Sequence, residues 1–245
     1  MDLELNDRVV IVTGGASGIG AATATLLIEE GARVAVFDRN TTTVSESDRL
    51  IGVPCDVRDE ASVSAAIDAV VARWGRIDSV VSCAGISTLF GRSVESVTTV
   101  EWDEMMQVNV RGQWLPIKHA LPHLRQQASA AIVIVASDSA MVAAPGDVVY
   151  CTSKGAALTF ARALSVDLQV DGIRVNCVCP SIVDTPQSRR AMDKAEGFAD
   201  ADYPVNDPLD IARALALLIS PVTRSVNGQA ILADWGYTAM SSYPA

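Results

Sequence analysis

Val9-Val-Ile-Val-Thr-Gly-Gly-Ala-Ser-Gly-Ile-Gly20, followed by residues 21–30 and then by Arg33-Val-Ala-Val-Phe-Asp38, decides the fold. The opening four residues are β-branched and carry no polar interruption, which suits a short strand buried on both faces of a parallel sheet. Residues 21–30 are rich in Ala, Leu and Ile and read as a helix, with Gly31 as its C-terminal stop. The order is strand, glycine turn, helix, strand and acidic tip, the physical outline of a dinucleotide site. Gly14 allows the sharp turn, Gly18 removes a side chain where a pyrophosphate must approach the backbone, and Gly20 lets the helix pack close to the strand. The helix N-terminus beyond Ser17 offers unpaired N–H groups and a partial positive charge to phosphates. A glycine turn between strand and helix can also be purely structural, and Asp38 tilts the balance. Its carboxylate is placed to accept hydrogen bonds from the adenosine ribose hydroxyls and to repel a 2′-phosphate, which predicts NAD over NADP. Ser17, where a basic residue would grip that phosphate, agrees; Arg39 dissents.

The rest of the chain repeats the alternation. Ile51-Gly-Val-Pro-Cys55 reads as a strand ending at Asp56 and Val57, beside an adenine, and residues 40–50 as a loop. A helix over 59–74 ends at Gly75, and Ile77-Asp-Ser-Val-Val-Ser82 is a fourth strand that turns off through Cys83, Ala84 and Gly85, small enough for a ribose to lie against the backbone. A long apolar helix runs from Glu101 to about Arg125 with Asn109 inside it. Strands follow over 131–136, 173–179 and 229–233, and a helix over 208–220 is capped by Asp207 with Pro208 in its first turn. Residues 186–207 read as irregular and mobile. The expected fold is α/β: a single Rossmann-like domain over 1–245, a doubly wound parallel sheet of about seven strands with helices on both faces, and a substrate-loop region at 182–207.

Composition narrows the function classes. With 245 residues, 49% of them apolar, the chain can bury one good core. A net charge of −10 and the lack of any Lys/Arg cluster disfavour nucleic acid and anionic membranes. No apolar run approaches membrane-spanning length, and the acidic opening Met1-Asp2-Leu3-Glu4 does not resemble a signal peptide, so a cytoplasmic protein is expected. The five cysteines show no C-x-x-C pattern and are expected as buried thiols rather than disulfides or metal ligands. His119 and His123 lie one helical turn apart without a third ligand, so no metal site is expected.

Chemistry concentrates in Tyr150-Cys-Thr-Ser-Lys154. On a helix, side chains at i and i+4 share a face, so the phenol and the ammonium lie together. A neighbouring cation favours the phenolate and lowers its pKa, which would let Tyr150 exchange a proton with an alcohol or a carbonyl. The stretch follows Ala131-Ile-Val-Ile-Val-Ala-Ser137, so a hydroxyl at a strand end and a tyrosine at the next helix start converge at the carboxyl edge of the sheet. Asn109 admits two readings: a buried amide satisfying a backbone carbonyl, or a polar group held for a proton path.

Together these motifs resemble the short-chain dehydrogenases/reductases over nearly the whole chain: Thr13-Gly-x-x-x-Gly18-Ile-Gly20, Asn109, Ser137, Tyr150-x-x-x-Lys154 and Pro180-x-x-x-x-Thr185 match in order and spacing. The resemblance implies Tyr150 as general acid/base, Lys154 lowering its pKa and holding the nicotinamide ribose, Ser137 bonding the substrate oxygen, and Asn109 positioning a water between Lys154 and solvent. It implies a cofactor site made of Gly14, Ser17, Gly18, Ile19, Gly20, Asp38, Asp56, Val57, Ala84, Gly85, Tyr150, Lys154, Pro180, Ile182 and Thr185, with Thr185 and the backbone near Ile182 fixing the carboxamide. Ser139 competes with Ser137, which fits the family spacing better. The chain departs from the family pattern at Ser82-Cys83, where a brace between strands is missing, at Ser181, where a Gly is common, and at Trp235, in a Gly position.

The expected activity is hydride transfer between NAD(H) and a secondary alcohol or ketone. Met141, Val142, Val183, Met192 and Phe198 suggest an apolar small-molecule substrate, while Arg189 and Arg190 suggest, less strongly, a carboxylate. Two rivals stand beside this reading: a 3-oxoacyl thioester reductase, and a dinucleotide sensor without turnover. The resemblance further implies a homo-oligomer, a dimer or homotetramer, through residues 102–125 and 150–170.

Overall fold

Short β-branched runs become the inner strands of a seven-stranded parallel sheet because they bury both faces between helices, while the two edge strands stay partly exposed. A computed structural model describes residues 2–240; Met1 and residues 241–245, which the single-domain expectation also covers, lie outside the described residues. The strands are β1 (Val9–Thr13), β2 (Arg33–Asp38), β3 (Leu50–Pro54), β4 (Ser79–Ser82), β5 (Ala131–Val135), β6 (Arg174–Pro180) and β7 (Ala230–Ala233). They form one sheet in the order β3-β2-β1-β4-β5-β6-β7, every pair parallel. The helices are α1 (Gly18–Glu29), α2 (Glu60–Trp74), α3 (Thr99–Met106), α4 (Gly112–Leu124), α5 (Val148–Asp167), α6 (Pro186–Ala191) and α7 (Pro208–Ile219).

Alternate strand residues feed two separate cores. Val9, Ile11, Phe37, Val80, Ile132 and Ile134 pack with α2, α4 and α5 on one face. Val10, Val12, Val34, Val81, Val133 and Val178 pack with α1 and α7 on the other. Burying each such side chain contributes about 1.5–3 kcal/mol, so a polar substitution in any of β1, β4 or β5 is costly whichever face it meets. The order of strands reverses direction between β1 and β4, and a crevice opens beyond their carboxyl ends.

Two expectations are corrected. The helix expected from Glu101 to about Arg125 is two helices joined by a π turn, Gln107–Arg111, with Asn109 in its middle. The reason is tertiary: Asn109 is bonded to the backbone of Ile86, and Gly112 packs so closely on Val57 that an added Cβ would lie 2.7 Å from its Cγ2. The stretch 186–207, expected as irregular and mobile, opens with α6. Thr185 caps it in a reciprocal box with Ser188, Pro186 stands at its first turn, Arg189 forms a bidentate pair with Asp184, and Val183 bridges Asn206. Thr185-Pro186 is a helix start in the sequence itself, and that signal was missed.

Candidate active site

The glycine turn is built as its spacing implies. Gly14 (φ +63°) and Gly18 (φ +54°) occupy the left-handed region. A Cβ at Gly14 would stand 2.8 Å from Ala84 Cα, and one at Gly20 would overlap the Gly14 carbonyl. Gly18 faces Thr185 across the cleft, 3.1 Å from where its Cβ would be to Thr185 Cγ2. Ser17 is exposed and makes no side-chain bond to the first turn of α1, so the amides there keep their capacity for an anion. This bare, side-chain-free cradle fits a pyrophosphate.

Asp38, at the tip of β2, accepts from the Ala16 amide with Oδ2 and from the Asn40 amide with Oδ1, both at 3.2 Å. The carboxylate is thereby fixed at the cleft wall with acceptor capacity to spare. Ile19, Asp56, Val57, Ala84, Gly85 and Thr185 line the same cleft. Asp56 is held by Arg58 in a bidentate pair, which pulls its carboxyl below the usual range. Arg39 and Arg190 also line the cleft, with no ion pair among the described residues.

Four segments converge at the other end. Tyr150 lies in the first turn of α5, and Lys154 Nζ, one turn on, sits 5.5 Å from the tyrosine ring centroid and donates to the Val135 carbonyl at 3.1 Å. Burial lowers the Lys154 pKa to about 8. Gly85 runs beneath: its missing Cβ would lie 3.4 Å from both Lys154 Nζ and Asn109 Oδ1. Asn109 is fully buried, takes the Ile86 amide at 2.7 Å, and donates to the Ile86 carbonyl and to Ser153 Oγ, both at 2.9 Å. Ser153 in turn donates to the Tyr150 carbonyl at 2.8 Å. Ser153, unremarked in the sequence, therefore ties the asparagine to the helix that carries Tyr150 and Lys154. Its only signal was its place inside that five-residue motif.

Ser137, at the end of β5, is buried; its hydroxyl donates to Asp138 Oδ1 at 2.9 Å and accepts from the Ser139 amide at 3.2 Å. It also draws the Tyr150 pKa downward. Burial raises the Tyr150 pKa, and Asp147 and Asp138 add to the rise. The Lys154 ammonium is turned to the Val135 carbonyl and lies by the tyrosine ring.

Pro180 ends β6, and the turn after it is braced by Asn206, whose amide reaches Ser181 Oγ (3.1 Å), Ile182 O (3.3 Å) and Ala233 O (3.0 Å). Ser181 thus supplies an acceptor. Ser82 Oγ is buried without a partner among the described residues, and Trp235 takes φ +59°, the conformation a Gly would adopt without strain. Of the expected apolar wall, Val183 belongs to the core beneath α7 and Met141 is 42% exposed. Arg189 is neutralised by Asp184. All five cysteines are unbridged; Cys177 and Cys179 Sγ lie 3.8 Å apart, and burial pushes the Cys83 thiol up to about 12. His119 pairs with Glu60, no metal-binding cluster occurs among the described residues, and none of their helices is long and apolar enough to cross a membrane.

Known proteins resemble the chain over nearly its whole length. A family profile described as enoyl-(acyl carrier protein) reductase matches residues 14–238. The chain is 38% identical to 2-(R)-hydroxypropyl-CoM dehydrogenase of Xanthobacter autotrophicus, over 95% of this chain and 99% of that one. It is 35% identical to cyclopentanol dehydrogenase of Comamonas, over 96% and 98%. Among solved structures, 3-ketoacyl-(acyl-carrier-protein) reductase from Brucella melitensis complexed with NADH superposes with a TM-score of 0.89 at 29% identity, covering 96% of this chain and 100% of that one. ElxO with NADP bound superposes at 0.86 and 25%, with the same coverage. The relatives support an oxidoreductase acting on alcohols. A nicotinamide dinucleotide is the cofactor of this group of proteins. The chain belongs to the short-chain dehydrogenase/reductase family.

Proposed function

We propose that the protein is an NAD-dependent dehydrogenase of secondary alcohols, working in reverse as a carbonyl reductase, with Tyr150 as general acid/base. The observation that carries this is the buried Lys154 ammonium beside the Tyr150 ring, bonded to one carbonyl and lying behind Gly85, which lines the cleft. When bound, the nicotinamide dinucleotide supplies the ring that exchanges hydride with the substrate carbon and, oxidised, a positive charge. Tyr150, its pKa raised by burial, holds its proton at neutral pH and is suited to give it to a carbonyl oxygen; in oxidation it must first lose that proton, and as the phenolate it accepts the one from the substrate hydroxyl. Ser137 would hold the substrate oxygen. Lys154, charged below about pH 8, would hold the ribose and ease formation of the phenolate. Asn109 braces the floor and would order a water toward Lys154. Asp38, fixed by two amides, supports NAD because a 2′-phosphate there would meet a carboxylate it cannot displace.

Exposed Trp102, Trp114, Val166 and Val170 on α3, α4 and the α5 side support self-association, to be read by light scattering. A 3-oxoacyl thioester reductase is the second reading, favoured by the acyl-carrier-protein reductase descriptions of the family profile and of one similar structure and opposed by Asp38 and the net charge of −10. The assay is a panel of secondary alcohols, ketones and 3-oxoacyl thioesters with each of the two dinucleotides, followed by nicotinamide absorbance. Equal turnover by the Tyr150→Phe protein would end the catalytic assignment. Binding without turnover across the panel would instead mark a sensor.

A further inference from the structure

Two carboxylates stand beside Ser137 and Tyr150, and only one is accounted for. Asp138 accepts the Ser137 hydroxyl and the Ser139 amide on one oxygen, and it shapes the turn after β5. Asp147 does nothing comparable. It occupies the cap position of α5, where an aspartate ordinarily accepts from an amide of the first turn, yet its side chain makes no capping bond. The residue is 5% exposed, and its Oδ1 is buried with no hydrogen-bond partner among the described residues.

Its position is fixed rather than accidental. Gly146 (φ +75°) packs so tightly on the loop after β4 that a Cβ would stand 2.8 Å from the Gly91 backbone. Arg92, whose amide borders the same contact, sends its guanidinium to Ser96 and Glu101. Among the described residues no ion pair reaches Asp147. Asp147 stands at the mouth of α5, three residues and one helical turn before Tyr150, so its carboxyl lies on the side of the helix that carries the phenol. A buried carboxylate without a donor is costly to keep, and the cost is recovered when a ligand brings the donor.

We infer that the alcohol or ketone taken by this site carries a second hydrogen-bond donor, a hydroxyl or an ammonium near the reacting carbon, and that Asp147 is its acceptor. The inference rests on the alcohol-dehydrogenase reading and narrows it: vicinal diols, polyols and amino alcohols are the substrate class, and a carboxylate next to the carbinol is excluded by like charge. Asp147 is then a specificity-determining residue that touches the substrate but not the proton in flight.

The test compares three matched substrates, a monofunctional secondary alcohol, its vicinal diol and its vicinal amino alcohol, on the parent protein and on Asp147→Asn and Asp147→Leu. In the parent, kcat/KM should favour at least one donor-bearing substrate by about tenfold or more, and Asp147→Leu should abolish that ratio. The diol arm against the amino-alcohol arm identifies the donor: Asp147→Asn keeps an acceptor for a hydroxyl but loses the charge an ammonium needs. Unchanged ratios in Asp147→Leu overturn the inference. Calorimetric binding of the diol and the amino alcohol to the protein loaded with NADH separates this from the catalytic reading. Binding weakened by Asp147→Leu in a protein that turns over none of the panel leaves the Asp147 contact standing and the activity refuted; binding unaffected refutes the contact. A merely structural role predicts a lower melting temperature for both variants, whereas removal of an unpartnered buried charge predicts an equal or higher one.

Discussion

The two ends of the cleft solve the same problem, presenting polar groups in a crevice, by opposite means. At the dinucleotide end the work is done by backbone: glycines at left-handed φ, an uncapped helix N-terminus, and Asp38 held by two amides. At the tyrosine end it is done by side chains from four separated segments, locked together through Ile86, Asn109, Ser153 and Tyr150. Asp38 and Asp147 mark the contrast: one carboxylate anchored by two amides before any ligand arrives, the other with a buried oxygen that has no partner among the described residues. The first kind of site is tolerant of side-chain change except at its glycines. The second fails when any one member is withdrawn.

The sharpest break between the ends is Tyr150→Phe, which should lower kcat by about 10²–10⁴-fold while the dissociation constant for NADH stays nearly constant. A parallel loss of NADH binding would show that the two ends are not separable. Next comes Asp147. Burial raises its pKa from 3.8 to about 6, so the folded protein binds a proton more tightly than the unfolded chain. Its effect on stability is therefore absent below about pH 4 and becomes a penalty as pH rises to about 6, reaching at most about 3 kcal/mol. Asp147→Asn lifts that penalty, so the gain in melting temperature over the parent should grow from pH 4 to pH 7 and then level off. A gain independent of pH would mean that the carboxylate has a donor in solution.

Asn109→Ala removes three hydrogen bonds and strands the Ile86 amide, so denaturant unfolding should reveal a loss of about 1–3 kcal/mol, with activity falling alongside. If stability fell and activity did not, the asparagine would be a brace and nothing more. The smallest effect is expected at the backbone-built end: Asp38→Ala should move the NADH-to-NADPH preference by about tenfold, or about 1.4 kcal/mol, since the turn that holds the pyrophosphate is untouched. Arg39 and Arg190, both on the cleft, are positioned to favour the phosphate once the carboxylate is gone.

Much of this was legible in the order of residues, for identifiable reasons. Strand runs, the glycine turn, Asp38, the Asp207 cap and the Tyr150 to Lys154 spacing are local, so their geometry follows from neighbours in sequence. The π turn at Asn109 was not legible, since its cause lies in Ile86, and a helix read from its own periodicity runs straight through. Nor was the state of Tyr150: spacing put a cation on its face, but it is depth of burial that raises its proton affinity.

The chain by itself determined a parallel sheet with a phosphate-ready turn, because β-branched runs, glycines and acid at fixed intervals leave few other conformations. Tertiary structure alone decided which polar groups reach the cleft with partners and which reach it without. Hydrogen-bond satisfaction and burial depend on segments far apart in sequence, and Asp147, one aspartate among many in the sequence, became singular only when α5 and the loop after β4 closed around it.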